Sequence, residues 1–272
     1  MTSPLSRAQR ALQEQGPLGL ARALWSYGVA QSARSYRALA SPLVMEGAIK
    51  SFKREVEGIV VTEKLVEFAF RWRYKGIRIK PDQLPREILD LCYILRKHKV
   101  RSALEIGTAG GGSLFLFCRV AQPEARIISL DYPASALEAR NKKYRDMLYK
   151  QFAYGRQELT LLTGSSHDGS MLLEVYDKLG GQYVDGKQLS IKTLDFLFID
   201  GDHSYEGVKK DFEMYSQFVK KGGLIGFHDI ETNKNVRVDT VRIFWNELKS
   251  KYKTRELCYS NGNGYGIGIV YW

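Results

Sequence analysis

Two apolar segments of this chain end in acidic residues and histidines. The segment "LDFLFI" is followed by Asp200, Asp202 and His203, and "GGLIGF" is followed directly by His228 and Asp229. Carboxylate oxygens are the ligands that hard divalent cations prefer. A histidine titrates near neutral pH and can accept the proton of a hydroxyl group. We predict a metal site at Asp200, His228 and Asp229 and a general base at His203, while Asp202 either orients His203 or caps the next helix.

A glycine-rich segment, "LEIGTAGGGS", follows an earlier apolar segment and leads into helical sequence. Because glycine has no Cβ, it allows the backbone to turn tightly and to approach a ligand closely. Ala109 stands where the dinucleotide-binding motif G-x-G-x-x-G has its second glycine. The segment predicts a cofactor-binding loop, with candidate contacts at Glu105, Gly107, Thr108, Gly111 and Ser113.

An acidic residue, Asp131, ends the next apolar segment, "ARIISLD". A carboxylate at the end of the second strand of such a fold can accept hydrogen bonds from both ribose hydroxyls of an adenosine-containing cofactor. The glycine-rich loop and Asp131 together indicate a nucleoside cofactor. They leave NAD and S-adenosylmethionine open.

Short apolar segments alternate with helical patterns from about residue 100 onward, which predicts a parallel sheet covered by helices on both faces. The chain ends differently, because "TRELCYS" and "YGIGIVYW" are joined by "NGNG", which predicts an antiparallel hairpin. The predicted fold is therefore α/β: a Rossmann-like, mostly parallel, seven-stranded sheet with a C-terminal antiparallel hairpin and an N-terminal helical extension. The run "KKYRDMLYK" is predicted to be a solvent-exposed helix face.

The composition is that of a globular protein, with 44% hydrophobic and 26% charged residues among 272. The net charge of +11 favours anionic partners. Three dispersed cysteines indicate a reducing, cytoplasmic setting, without a disulfide framework. We predict a helical N-terminal extension over 1–60, a helical lead-in over 61–98 and a cofactor-binding domain over 99–272. An amphipathic, arginine-bearing segment within the extension packs on a domain or lies on a membrane surface.

From about Gln83 to its end, the chain resembles the class I S-adenosylmethionine-dependent O-methyltransferases. Within them it resembles the branch of macrocin-type sugar O-methyltransferases and cephalosporin hydroxylase-like proteins. The matching motifs are "QLPREI", "LEIGTAGGGS", "FIDGDHSYEGVKKDF", "VKKGGLIGFHDI" and "GYGIGIVYW". This resemblance implies the class I methyltransferase fold with S-adenosylmethionine as cofactor. It also implies transfer of a methyl group to a hydroxyl of a sugar or glycosylated small molecule.

The resemblance assigns the metal and the base. It implies that Asp200 and Asp229 hold a divalent cation, expected to be Mg²⁺, and that His203 is the catalytic histidine; Asp200 is also counted among the cofactor contacts. His228 stands where sugar methyltransferases of this kind often have an acid. Its nitrogen would suit manganese, iron or zinc better than magnesium; the position is equally compatible with a residue that supports the metal ligands or faces the substrate.

The remaining cofactor contacts also follow from the resemblance. The segment "TGSSHDGS" resembles the loop that contacts adenine in these enzymes, which makes Ser166 and His167 candidate contacts. Glu105 is expected to bind the amino-acid end of the cofactor through water or to fix the loop backbone. Gln83 and Glu87 are expected to line the site.

Three other functions are compatible with parts of the sequence. The net charge of +11 is typical of a nucleic-acid methyltransferase or binding protein, although no N/D-P-P-Y tetrapeptide follows the fourth predicted strand. A non-methylating, hydroxylase-like relative would share the motifs. An NAD-dependent oxidoreductase is disfavoured by the glycine spacing and the terminal hairpin. The extension is also compatible with a homo-oligomer.

Overall fold

The computed structural model of the protein describes residues 42–133, 136–185, 187–231, 240–260 and 265–272. Most of the predicted N-terminal extension, including its amphipathic segment, lies outside these residues. Within them, no helix is both long enough and apolar enough to cross a membrane.

A single seven-stranded sheet forms the centre of the fold. Its strands are β1 (Ser102–Ile106), β2 (Arg126–Asp131), β3 (Glu158–Thr163), β4 (Leu194–Ile199), β5 (Val219–His228), β6 (Lys253–Leu257) and β7 (Ile267–Tyr271). The order in the sheet is β6-β7-β5-β4-β1-β2-β3. Strands β1 to β5 are parallel to one another. At one edge β7 pairs antiparallel with β5, and β6 pairs antiparallel with β7. The predicted α/β sheet and its terminal hairpin are confirmed.

Helices cover both faces of this sheet. They are α1 (Pro42–Val56), α2 (Thr62–Arg71), α3 (Pro85–His98), α4 (Gly112–Val120), α5 (Ala136–Tyr149), α6 (Gly169–Lys178), α7 (Tyr205–Tyr215) and α8 (Thr240–Lys249). Two short hairpins, Arg73–Tyr74 with Ile77–Arg78 and Tyr183–Val184 with Lys187–Gln188, lie outside the main sheet.

Strand β4, in which only Asp195 is polar, shows why the central strands are mostly apolar. Every residue from Leu194 to Ile199 is buried, because alternate side chains enter the cores on opposite faces. Phe196 and Phe198 pack with the helices α1 to α4, whereas Leu197 and Ile199 pack with α6, α7 and α8. A strand buried on both faces does not alternate between polar and apolar residues, so "LDFLFI" reads as one apolar run.

Helix α1, from the predicted extension, and helix α2, from the predicted lead-in, pack on one face of the sheet and belong to its core. Phe52 of α1 has its ring centroid within 6 Å of Phe68, Trp72, Phe115 and Phe152. These contacts join α1 and α2 to α4 and to the segment after α5. The cluster therefore supports the residues between α2 and α3, which reach the carboxyl ends of the strands.

Candidate active site

The loops after β1 to β5 enclose a cavity of about 780 Å³ at the carboxyl ends of these strands. This edge is where ligands of open α/β sheets bind. The predicted residues that line the cavity are Gly107, Asp131, Ser166, His167, Asp200, His203, His228 and Asp229. The sheet thus brings together the predicted base, the three predicted metal ligands and about half of the predicted cofactor contacts.

Four predicted cofactor contacts lie behind the cavity instead of lining it. Glu105 is buried and accepts a hydrogen bond from Ser113 Oγ over 2.6 Å, and its burial raises the pKa of Glu105 to about 8. The hydroxyl of Thr108 bonds to that of Ser129, and Gly111 packs against Tyr149. In this structure these residues shape the loop.

The glycine-rich loop is held so closely that two of its glycines have no room for a side chain. Gly107 has φ +87°, and a Cβ there would lie 2.1 Å from the carbonyl oxygen of Asp200. Gly111 has φ +77°, and a Cβ there would lie 2.5 Å from the Tyr149 ring. The loop backbone can pass between β4 and α5 only because both positions are glycine.

Helix α5 corrects a prediction made from the sequence. The run "KKYRDMLYK" was predicted to face solvent, but Lys142, Arg145, Leu148 and Tyr149 are buried. Arg145 Nη1 and the Tyr149 hydroxyl both donate to the carbonyl of Ala109, over 2.9 and 3.0 Å. The buried residues recur at helical spacing, so they form one face that packs on the glycine-rich loop.

Asp131 is fixed by the same helix. Its Oδ2 lies 3.5 Å from Arg145 Nη2, and its Oδ1 accepts a bond from the backbone N–H of Thr108 over 3.3 Å. Its side chain still lines the cavity. Arg145 therefore holds a candidate cofactor-binding residue in place. The sequence did not predict this role, because a basic residue in a charged helix is usually exposed on the surface.

Two carboxylates and two imidazoles form a closed ring at the ends of β4 and β5. Oδ1 of Asp200 lies 3.2 Å from His203 Nε2 and 3.1 Å from His228 Nδ1. Asp229 completes the ring, with Oδ2 2.9 Å from His203 Nδ1 and Oδ1 3.4 Å from His228 Nδ1. Asp229 has φ +59°, an uncommon conformation for a residue other than glycine that often occurs at functional sites.

The contacts within the ring shift the pKa values of three of its residues. Hydrogen bonds with Asp200 and Asp229 raise the pKa of His203 to about 11. Burial lowers the pKa of His228, but the Asp200 carboxylate outweighs burial and raises it to about 9. Burial also opposes the charge of Asp200, yet His228 and His203 hold its pKa well below the usual range. These pKa values keep Asp200 ionised and both histidines protonated at neutral pH.

This arrangement does not fit the predicted metal site. A cation at Asp200 would have to displace the imidazolium protons, because both histidines direct a nitrogen at Oδ1 of Asp200. Oδ2 of Asp200 already accepts a bond from Gln83 Nε2 over 2.7 Å. Across the described residues, no group of three or more His, Cys, Asp or Glu side chains is placed to hold a metal ion. The prediction of Mg²⁺ is not supported.

Titration with Mg²⁺ or Mn²⁺ is expected to show no saturable binding tighter than about 1 mM, because the imidazolium groups already neutralise the carboxylates. Calorimetry on the chelator-treated protein measures this directly. A micromolar site that disappears in Asp229→Ala would contradict the expectation and would mean that the ring opens to admit a cation.

Gln83 and Glu87 were expected to line the site, but neither is among the residues that line the cavity. Gln83 is buried and donates to Asp200. Glu87 instead accepts hydrogen bonds from the backbone N–H groups of Tyr259 and Gly266 and so ties α3 to the C-terminal hairpin. Asp82, which the sequence reasoning missed, lines the cavity, where burial and the Asp200 charge raise its pKa.

Comparisons with known proteins agree with this geometry. Residues 104–230 match the family described as a methyltransferase domain. An uncharacterized protein of Acanthamoeba polyphaga mimivirus is 30% identical over 128 residues, which are 47% of this chain and 51% of that protein. The chain thus spans about half of the length of this curated relative.

Two solved structures share the fold. One, from Staphylococcus aureus, is assigned as a caffeoyl-CoA O-methyltransferase; it has 21% identity and a TM-score of 0.51, and the match covers 81% of this chain and 96% of that one. The other, from Klebsiella pneumoniae, is assigned as an O-methyltransferase; it has 18% identity and a TM-score of 0.50, and the match covers 82% and 94%.

These findings confirm the predicted Rossmann-like fold, and residues 104–230, within the predicted cofactor-binding domain, match a methyltransferase domain. The macrocin-type sugar branch stays a prediction. The nucleic-acid and hydroxylase-like alternatives gain no support from these comparisons.

Proposed function

We propose, from the methyltransferase domain at residues 104–230, that the protein is an S-adenosylmethionine-dependent O-methyltransferase. The observation that carries the proposal is the single cavity with two chemically different ends. Asp131 lies at the end of β2, beside the glycine-rich loop, and the His203 ring lies at the ends of β4 and β5. A nucleoside bound at the first end would present its reactive group to the second.

The residues at the nucleoside end fit the cofactor. Asp131 directs a carboxylate into the cavity, where it can accept hydrogen bonds from two ribose hydroxyls. Gly107, held at φ +87°, lets the loop backbone approach the bound molecule. When bound, S-adenosylmethionine supplies an electrophilic methyl group on a sulfonium sulfur.

His203 is the proposed general base. Its side chain is half exposed and lines the cavity. Both ring nitrogens face carboxylates, so one of these two contacts has to open for a nitrogen to accept the proton of an acceptor hydroxyl. As the acceptor oxygen bonds to the methyl carbon and the carbon–sulfur bond breaks, the hydroxyl proton passes to His203 in its neutral form. Asp200 and Asp229 orient the ring and stabilise the imidazolium group that results.

The proposed acceptor is a hydroxyl of a sugar or glycosylated small molecule. Besides the ring, this end of the cavity is lined by Asp82, Asp202 and Tyr265. Carboxylate and phenol oxygens suit several neighbouring hydroxyl groups, as a sugar carries. A panel of glycosides and phenols, assayed with methyl-labelled S-adenosylmethionine, identifies the acceptor.

Replacing Asp131 by alanine is expected to weaken the binding of S-adenosylhomocysteine by about 100-fold, because two charge-assisted hydrogen bonds to the ribose are lost. Calorimetric titration of the wild type and of Asp131→Ala measures the change. Glu158→Ala serves as the control, because Glu158 is an exposed acid at the opposite end of the adjacent strand. If the folded wild type does not bind S-adenosylhomocysteine, the proposed function is wrong.

A further inference from the structure

A buried carboxylate behind the cavity has no part in the chemistry proposed above. Asp211 of α7 is fully buried. Neither of its oxygens makes a hydrogen bond of good geometry with a described residue. The side chain of Ser166 lies beside the carboxylate, and Oδ1 is 3.2 Å from Nε2 of His167. A carboxylate in such a position is costly unless a partner compensates it. The partner here, His167, lines the cavity.

The same helix anchors the loop that carries His167. Tyr215 follows Asp211 by one turn, on the same face of α7, and its hydroxyl donates to the backbone carbonyl of Ser166 over 2.8 Å. The backbone N–H of His167 donates to Ser165 Oγ over 3.2 Å. The imidazole therefore lies between α7 and the cavity on a backbone that is held on both sides.

The neighbours of Nε2 determine which ring nitrogen carries the hydrogen. Nε2 lies 3.3 Å from the carbonyl oxygen of Gly207 and 3.2 Å from the Asp211 carboxylate. Both groups are acceptors, so the hydrogen belongs on Nε2. In the neutral ring Nδ1 is then an acceptor, and it makes no hydrogen bond within the part of the chain that the structure describes.

The base of the bound nucleoside belongs near this nitrogen. With the ribose on Asp131 and the reacting end at His203, the base has room along the wall formed by Tyr132, Ser166 and His167. Tyr132 directly follows Asp131 and is largely exposed, so its ring can stack on a base. This placement rests on the proposed function.

We propose that Asp211 is a positioning residue that fixes the Nε2–H tautomer of His167, and that the site thereby selects an adenine base. The exocyclic amino group of adenine is a hydrogen-bond donor and matches the acceptor Nδ1. A 6-oxopurine such as hypoxanthine has an acceptor at the same position and leaves two acceptors facing each other. Discrimination of this kind is strong because a mismatched polar group stays unpaired.

The test compares S-adenosylhomocysteine with S-inosylhomocysteine by calorimetry. For the wild type we expect the inosine compound to bind at least about 30-fold more weakly. In His167→Gln the ratio of the two dissociation constants, inosine compound over adenosine compound, should fall below about 5. The glutamine amide can present either its oxygen or its amino group to the base. In Asp211→Asn the ratio should also fall, because the carboxamide can donate to Nε2. The double variant should show no further fall, since Asp211 acts through His167.

Asp195→Asn is the matched control. Asp195 is another buried carboxylate, but it accepts bonds from the N–H groups of Arg101 and Ser102 at the far end of the sheet. Its replacement should leave the ratio of the two dissociation constants unchanged if the effect is specific to Asp211 and His167. An unchanged ratio in folded Asp211→Asn, or equal binding of the two compounds by the wild type, would overturn the inference while leaving the proposed function intact. If the wild type binds neither compound, both fail.

A direct measurement keeps the inference testable if Asp211→Asn does not fold. Nitrogen-15 NMR of the histidine side chains reports which ring nitrogen is protonated. The chain has four histidines, and the spectrum of His167→Gln identifies the signals of His167. We expect a protonated Nε2 and an unprotonated Nδ1 in the wild type, and the opposite tautomer would exclude the proposed role of Asp211.

Discussion

His203→Gln is expected to lower kcat by about 10³-fold, because the acceptor hydroxyl loses its proton acceptor in the transition state. Affinity for S-adenosylhomocysteine should stay within about twofold, since ribose recognition depends on Asp131, at the other end of the cavity. The measurement pairs methyl transfer to the acceptor found in the glycoside screen with calorimetry. His98→Gln is the control, because His98 lies at the end of α3, remote from the cavity.

The dependence of kcat on pH tests the same role. The hydrogen bonds that raise the pKa of His203 to about 11 keep it protonated at neutral pH, and a protonated histidine accepts no proton. If His203 is the base, kcat of the wild type should rise about tenfold per pH unit above pH 7. The profile should be flat in His203→Gln. A wild-type rate that already levels off near pH 7 would contradict the role.

Stability changes in the opposite direction over this range. A histidine whose pKa is raised on folding stabilises the fold fully below its unfolded pKa, near 6.5, and loses that contribution as the pH rises through its folded value. The loss therefore begins above about pH 6.5 and is complete near pH 9 for His228 and near pH 11 for His203. Rates at high pH must therefore be divided by the folded fraction, measured by circular dichroism.

Gly107→Ala is expected to lower the free energy of unfolding by about 4 kcal/mol or more, because two costs combine. The residue has φ +87°, and the new Cβ would lie 2.1 Å from the backbone carbonyl oxygen of Asp200. This oxygen belongs to the backbone at the end of the central strand β4, so it cannot rotate away as a side-chain atom could. Chemical denaturation of the two proteins measures the difference.

Gly222→Ala separates the two costs. Gly222 has a similar φ of +80°, but a Cβ there would meet nothing within 4 Å. We expect this control to lose only about 1 kcal/mol, which is the backbone cost alone. Equal losses in the two variants would mean that the contact between the loop and Asp200 is looser than the structure shows.

Much of the fold could be predicted because its signals are local. Apolar runs, helical spacing and the "NGNG" turn reflect preferences that act over a few residues. The same holds for Gly107, where only glycine suits the backbone. Placement of Asp131 and Asp200 at strand ends followed from the sheet itself, since parallel strands end at one edge.

The tertiary structure alone decided how these side chains pair. Asp200, His203, His228 and Asp229 were predicted as a base and three metal ligands, yet their distances close a ring of ion pairs. Ligand types are visible in a sequence, but the direction of each nitrogen and oxygen depends on rotamers set by packing.

Burial was decided in the same way. Arg145 contacts Ala109, 36 residues away along the chain, and His167 contacts Asp211 of α7. The composition of α5 predicted a solvated face, because charged residues are rarely buried unless paired, and the pairing partner lies in a distant loop. The sequence by itself determined which elements form and which residues end the strands. The fold determined which of those residues touch, because each contact depends on the packing of several elements at once.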